Sequence, residues 1–116
     1  MSVVYASLKT NHIEAVTTSQ GEQAVSGPCR LFAFQVSLAG HDDEVVMSFY
    51  DHKFSSGTTG SVSGLTSLLT VSTGDTGANN DTPLYFRLPS SIRFDEGIVV
   101  GSAVEDPSTT LVLYEQ

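Results

Sequence analysis

The chain has 116 residues, enough for one hydrophobic core and too few for two, so we expect a single domain spanning 1–116. Thirteen acids against five basic residues leave a formal charge of -8. That balance repels phosphate backbones and anionic lipid and so argues against nucleic-acid or membrane-surface binding, and Lys9, Arg30, Lys53, Arg87 and Arg93 are scattered along the sequence.

The opening MSVVYASLKT has neither the basic start nor the long apolar stretch of a secretory signal. No apolar run reaches membrane-spanning length, and synthesis in a cytosol is expected. Short strand-like runs occupy 3–8 and 12–17, with Thr10-Asn11 between them as a breaker. Next, AVSGPCRLFAFQVSLAG sets Phe32, Phe34, Val36 and Leu38 at alternate positions, opposite Leu31, Ala33, Gln35 and Ser37. A period of two with aromatic and β-branched residues predicts a half-buried strand. The run EVVMSFYD repeats the pattern, with Val45, Met47 and Phe49 on one side. The short polar AGHDDE between these runs predicts a hairpin.

From 55 to 83 the composition turns to serine, threonine, glycine and asparagine, which predicts two surface loops around one weak strand at 68–71. Further runs follow at 84–88, 98–104 and 110–114, divided by Pro89-Ser90-Ser91, Asp95-Glu96-Gly97 and Glu105-Asp106-Pro107. No segment sustains helical spacing with a cap. About eight strands at this spacing predict an all-β fold, a two-layer antiparallel β-sandwich of jelly-roll or Greek-key type or a small barrel. The expected core is Phe32, Phe34, Val36, Leu38, Val45, Met47, Phe49 and Ile98.

Chemistry-bearing residues do not assemble into a motif. His41-Asp42-Asp43-Glu44 are adjacent in an expected turn, whereas zinc needs converging ligands and a catalytic carboxylate needs a pocket that raises its pKa. We read them as the solvated end of a strand. In Asp51-His52-Lys53 neighbouring strand-end side chains diverge, and no nucleophile elbow accompanies them. GSVSG at 60–64 carries Val62 where a nucleophile would stand, and Gly57, Gly60 and Gly64 lack the Lys-Ser/Thr of a phosphate loop. The oxygen-rich segment 75–81 departs from calcium-loop spacing. Cys29, the sole cysteine, excludes an internal disulfide and is expected as a buried free thiol. Asn80-Asp81-Thr82 forms a glycosylation sequon, but Pro83 follows it. The aromatic residues fall in strand patterns, as core or subunit contacts and not as a base-stacking platform. We therefore expect no catalytic residue, no metal and no cofactor.

Five phrases in order, SGPCRLFAFQVSLAG, EVVMSFYD, a polar middle, YFRLPSSIRFDEGIVVGSA and TTLVLYEQ, resemble small virion proteins of tailed bacteriophages, of the capsid decoration or head-associated type. That family pattern ends its second strand in Tyr-Asp, matched by Tyr50-Asp51. It places a phrase I-x-F-x-x-G-I-x-V before the last strand, matched by Ile92, Phe94, Gly97, Ile98 and Val100. His52 stands where the pattern has glycine, and Phe34 where it has a small residue. The resemblance implies a non-enzymatic cement protein made in the host bacterial cytoplasm and bound to the virion capsid surface. Its implied partners are the major capsid protein and further copies of itself, with a trimer favoured. The competing expectation is a receptor- or carbohydrate-binding sandwich of a tail, neck or fibre, using the 55–83 loops. Those loops hold no aromatic platform, and a small β-fold hydrolase ranks below both.

Overall fold

The computed structural model describes residues 8–13, 20–37, 46–72, 84–102 and 109–116. They form nine strands: β1 (Leu8–Ile13), β2 (Gln20–Ser26), β3 (Cys29–Ser37), β4 (Val46–Asp51), β5 (Thr59–Ser61), β6 (Ser67–Ser72), β7 (Leu84–Phe94), β8 (Gly97–Ser102) and β9 (Thr109–Glu115). Helix is absent among the described residues.

One sheet has the order β1-β9-β3-β7 and the other β5-β2-β8-β4-β6, with every pairing antiparallel. Without the short β5, eight strands remain in two four-stranded sheets, and the chain changes sheet at most connections. This is the strand order of a jelly roll, and the expected two-layer all-β sandwich is observed.

The expected hairpin joining β3 to β4 is not formed. β3 pairs with β7 and β9, whereas β4 pairs with β6 and β8 in the opposite sheet. A short polar connection serves equally well to cross between layers, and alternation in its flanks does not reveal which partner each strand takes.

The inner face of β3 also differs from simple alternation. Cys29, Leu31, Phe34 and Val36 are buried, but Phe32 is only half-buried. A bulge explains the change of phase. Against β9, Leu31 lies opposite Tyr114 and Ala33 opposite Leu113, so Phe32 is the extra residue of a bulge in β3, and against β7 the register jumps from Ile92 to Arg87 at the same place. Pro89, read from sequence as a breaker, sits inside this irregularity on an edge strand, where its missing N–H costs no ladder bond. The Thr10-Asn11 breaker is likewise overridden, because β1 runs through it in register with β9.

Between the sheets, Phe34 joins the two layers. Its ring lies 4.9 Å from Phe86 on its own sheet and 4.6 Å from Phe49 on the other. Leu31, Val36, Met47, Phe94, Ile98, Val100 and Val112 complete the centre of this core. Leu38 and Val45, also expected there, lie outside the described residues.

The 55–83 stretch is more ordered in its first part than its composition predicts. β5 extends the five-stranded sheet beside β2. Val62 reaches the same spot above Gly21 as the fully buried Val99, where an added Cβ would collide with both valines. Phe54 packs over Gly60 in the same way. Residues 73–83 are outside the described set.

Candidate functional site

A cluster of polar and titratable residues forms at one end of the sandwich, where β2 bulges, β4 ends and the β7–β8 turn begins. β2 shifts register between Gln23 and Val25 against β8. This bulge brings the Gln23 side chain in among the backbone groups of three segments. Its amide Nε2 donates to the carbonyl oxygens of Val25, His52 and Ile98 at 2.7, 3.0 and 3.1 Å. Its Oε1 accepts from the Phe54 amide at 2.9 Å, and the Gln23 backbone N–H donates to Thr58 at 2.6 Å.

Asp51 closes the next layer. Its Oδ1 accepts from the amides of Glu96 and Gly97 at 2.8 and 3.3 Å, and its Oδ2 from Asp95 at 3.1 Å. Partial burial works to raise the Asp51 pKa. The amides of Glu96, Asp95 and Gly97, aided by the His52 charge, outweigh it and hold the pKa below its ordinary 3.8. Gly97 is required here, since its φ of 150° and its contact with the Val25 carbonyl leave no room for a side chain.

Around this core of bonds, His52 donates its backbone N–H to Gly97 at 3.2 Å and sets its ring edge-on to Phe54 at 5.2 Å. Gly27, at φ 100°, donates to the Glu96 carbonyl at 2.8 Å, so the β2–β3 turn is tied to the β7–β8 turn. The buried Cys29 thiol is pushed up to about 11, first by burial and then by the Asp51 charge, with Arg93 opposing. Arg93 pairs with Asp95 at 3.0 Å.

Chemically this arrangement is a lock. The carboxylate is occupied by three backbone N–H groups and the glutamine amide by three carbonyls. The thiol is held protonated. None of these groups faces a second one as nucleophile faces base.

The sequence candidates are distributed as follows. Asp51 and His52 join the lock, Asp51 through its side chain and His52 through its backbone, while Lys53 is exposed. GSVSG begins on β5 and continues into a tight turn, with Ser61 Oγ accepting from the Ser63 amide at 3.1 Å and Leu65 donating to the Val62 carbonyl at 3.1 Å. His41 to Glu44 and the oxygen-rich 75–81 segment lie outside the described residues. No group of three metal-ligating side chains occurs among the described ones, and no described helix is long and apolar enough to cross a membrane.

Tyr50 and Asp51 pair in register with Val99 and Ile98, and the Asp51 carboxylate caps the turn that Gly97 ends. Gln23 was missed from sequence because a glutamine in QGEQAVS carries no sign that a bulge will turn it inward.

No protein family and no curated protein matches the chain. A solved structure of Bacillus endospore appendages, described as a novel family of disulfide-linked pili, is similar with 10% identity and a TM-score of 0.47, covering 94% of this chain and 86% of its own. A likeness that distant carries no argument about function.

Proposed function

We propose that this chain is a non-enzymatic structural protein of a tailed-phage virion, a decoration or cement protein that binds between capsid subunits as a homotrimer. The observation that carries the reading is the lock itself. Gln23 and Asp51 bind the backbone at Val25, at 52–54, at Thr58 and at 95–98 into one end, so the polar groups that converge here serve the sandwich and not a substrate.

A rigid module of this kind works through its outer surface. Its two sheets end in β1 and β7 and in β5 and β6, and exposed Tyr85 and Leu68 lie on two of those edges. Packing copies together covers such edges, and a symmetric oligomer engages several equivalent capsid sites at once, gaining affinity through effective concentration. Bridging neighbouring subunits resists expansion of a DNA-filled shell without chemistry.

The test is direct. Phage particles lacking the protein should release DNA at a lower temperature than complete ones, and added protein should restore the difference. Protein found only at a tail tip in reconstructed virions would reject cementing and favour adhesion.

A further inference from the structure

β4 and β6 lie side by side in the five-stranded sheet, where a turn of a few residues would join them. The chain instead runs from the end of β4 across β8 and β2, forms β5 on the far edge, and crosses back to β6. This excursion covers a residue that the sandwich alone leaves outside. Ile98 and Val100 belong to the core between the sheets, so Val99, paired with Tyr50 and Gln23, lies on the outer face. Val99 is nevertheless fully buried, and Val62 from the returning leg packs beside it over Gly21. Few other contacts hold the excursion down. β5 has three residues, and among the described strands it pairs only with β2. Thr59 Oγ1 donates to the Glu22 carboxylate at 2.5 Å, the Thr58 carbonyl accepts from the Gln23 amide at 2.6 Å, and Phe54 lies over Gly60. Residues 55–59, 61, 63 and 64 are exposed. Gly57 and Gly64 flank this piece at φ 70° and 84°, and a Cβ on either would meet nothing within 4 Å. Both are joints in open space, where the backbone rotates without displacing a neighbour.

We propose that residues 58–63 form a hinged flap, turning on Gly57 and Gly64, which opens as a unit while the sandwich stays folded. Opening breaks the β5–β2 pairs and the Thr58 bond and lifts Val62 from Val99. It leaves the Asp51 carboxylate and the Gln23 side chain with their backbone partners, which lie at 25, 52, 54 and 95–98. The lock therefore stands between the flap and the core, and movement of one need not loosen the other. A segment with one buried apolar contact and exposed hydrogen bonds opens at a lower free energy than the whole fold. Closed, the flap keeps the edge of β2 and the side chain of Val99 covered; open, it bares both. This device does not depend on the capsid reading.

Amide hydrogen exchange of the full chain, followed by NMR in water and in low urea, tests it. The Gln23 amide, whose acceptor is on the flap, should exchange at least about tenfold faster than the amides of β3, which is paired on both sides. Low urea should speed β3 steeply and Gln23 hardly at all, because opening the flap exposes little surface. A second readout follows Val62. In Val99→Cys, a change of small volume, the introduced thiol should be labelled at least about tenfold faster than Cys29 of the same chain, which lies in the core. Equal exchange of Gln23 and β3 with the same urea dependence overturns the flap, since the segment would then open only with the whole fold. Fast exchange at Gln23 with a thiol at 99 labelled no faster than Cys29 overturns it as well, since the strand would fray without lifting Val62.

Discussion

The carboxylate of Asp51 accepts a hydrogen bond from the amide of Glu96 at 2.8 Å across 45 residues of sequence. Through it, the end of β4 holds the turn that starts β8, and the same oxygen also receives Gly97. Removing the carboxylate in Asp51→Ala leaves these amides to water or to nothing. The group is partly exposed, so screening reduces the loss to about 1–2 kcal/mol. Asp51→Asn keeps one acceptor oxygen and should lose less. Urea denaturation of both variants measures the difference, and equal stability of Asp51→Ala and the parent would sink the capping role.

The same bonds make stability depend on acid. A carboxyl whose pKa is lower folded than unfolded stabilises the fold above the unfolded value, near 3.8, and loses that contribution as pH falls through the folded value. Arg93, Asp95, Glu96 and His52 surround it, but only Asp51 accepts three amides. The advantage of the parent over Asp51→Asn, which has no carboxyl to titrate, should be full at pH 7 and narrow below about pH 4. Melting temperatures of the two proteins across that range check it, and a constant gap would assign the stabilisation to something other than the charge.

Gln23 offers a sharper test, because its amide faces three carbonyl oxygens. Gln23→Leu keeps most of the volume and takes the Nε2 donor away from those acceptors, for a loss of about 2–3 kcal/mol. Gln23→Glu places a carboxylate against the same oxygens and should be worse at pH 7, recovering part of its stability in acid as the side chain gains a proton. If the two variants melt alike at every pH, the carbonyl cluster does not govern this position.

These cases show what was legible in the sequence. Alternation announced β3, β4 and the all-β class, since period-two burial is a local property of each strand. The β3–β4 hairpin was misread because pairing partners are chosen by the whole sandwich. Alternation puts Phe32 inside, but Phe32 is the extra residue of a bulge that reverses the phase of β3, and the strands it forms against, β7 and β9, lie far along the chain. Asp51 and Gly97 stood in separate phrases with no sign that they touch. Gln23 stood in none. Locks of this kind are tertiary, so residue type alone cannot expose them.

The bulge makes opposite expectations for two neighbouring phenylalanines. Phe34 is buried between Phe49 and Phe86, and Phe34→Ala should cost about 3–5 kcal/mol through lost contacts and a cavity spanning both sheets. Phe32, half-buried at the bulge, should cost less than about 2 kcal/mol on the same change. Equilibrium unfolding in urea ranks them, and a larger loss at Phe32 would mean that β3 keeps its simple alternation.

The last expectation joins Cys29 to Asp51. Thiol reagents attack the thiolate, and a pKa pushed up to about 11 leaves very little of it at pH 8. The side chain is also buried, so the native thiol should react far more slowly than the same thiol in urea, by at least about a hundredfold. The Asp51 charge adds to burial in raising this pKa. Asp51→Asn should therefore speed labelling of Cys29 by lowering its pKa, and this effect should appear as a shift in the pH profile of the labelling rate. A variant that opens the sandwich would instead raise the rate at every pH without moving the profile. Colorimetric thiol titration from pH 7 to pH 10 separates the two, and labelling of the native parent at the unfolded rate would show that Cys29 is not held in the core.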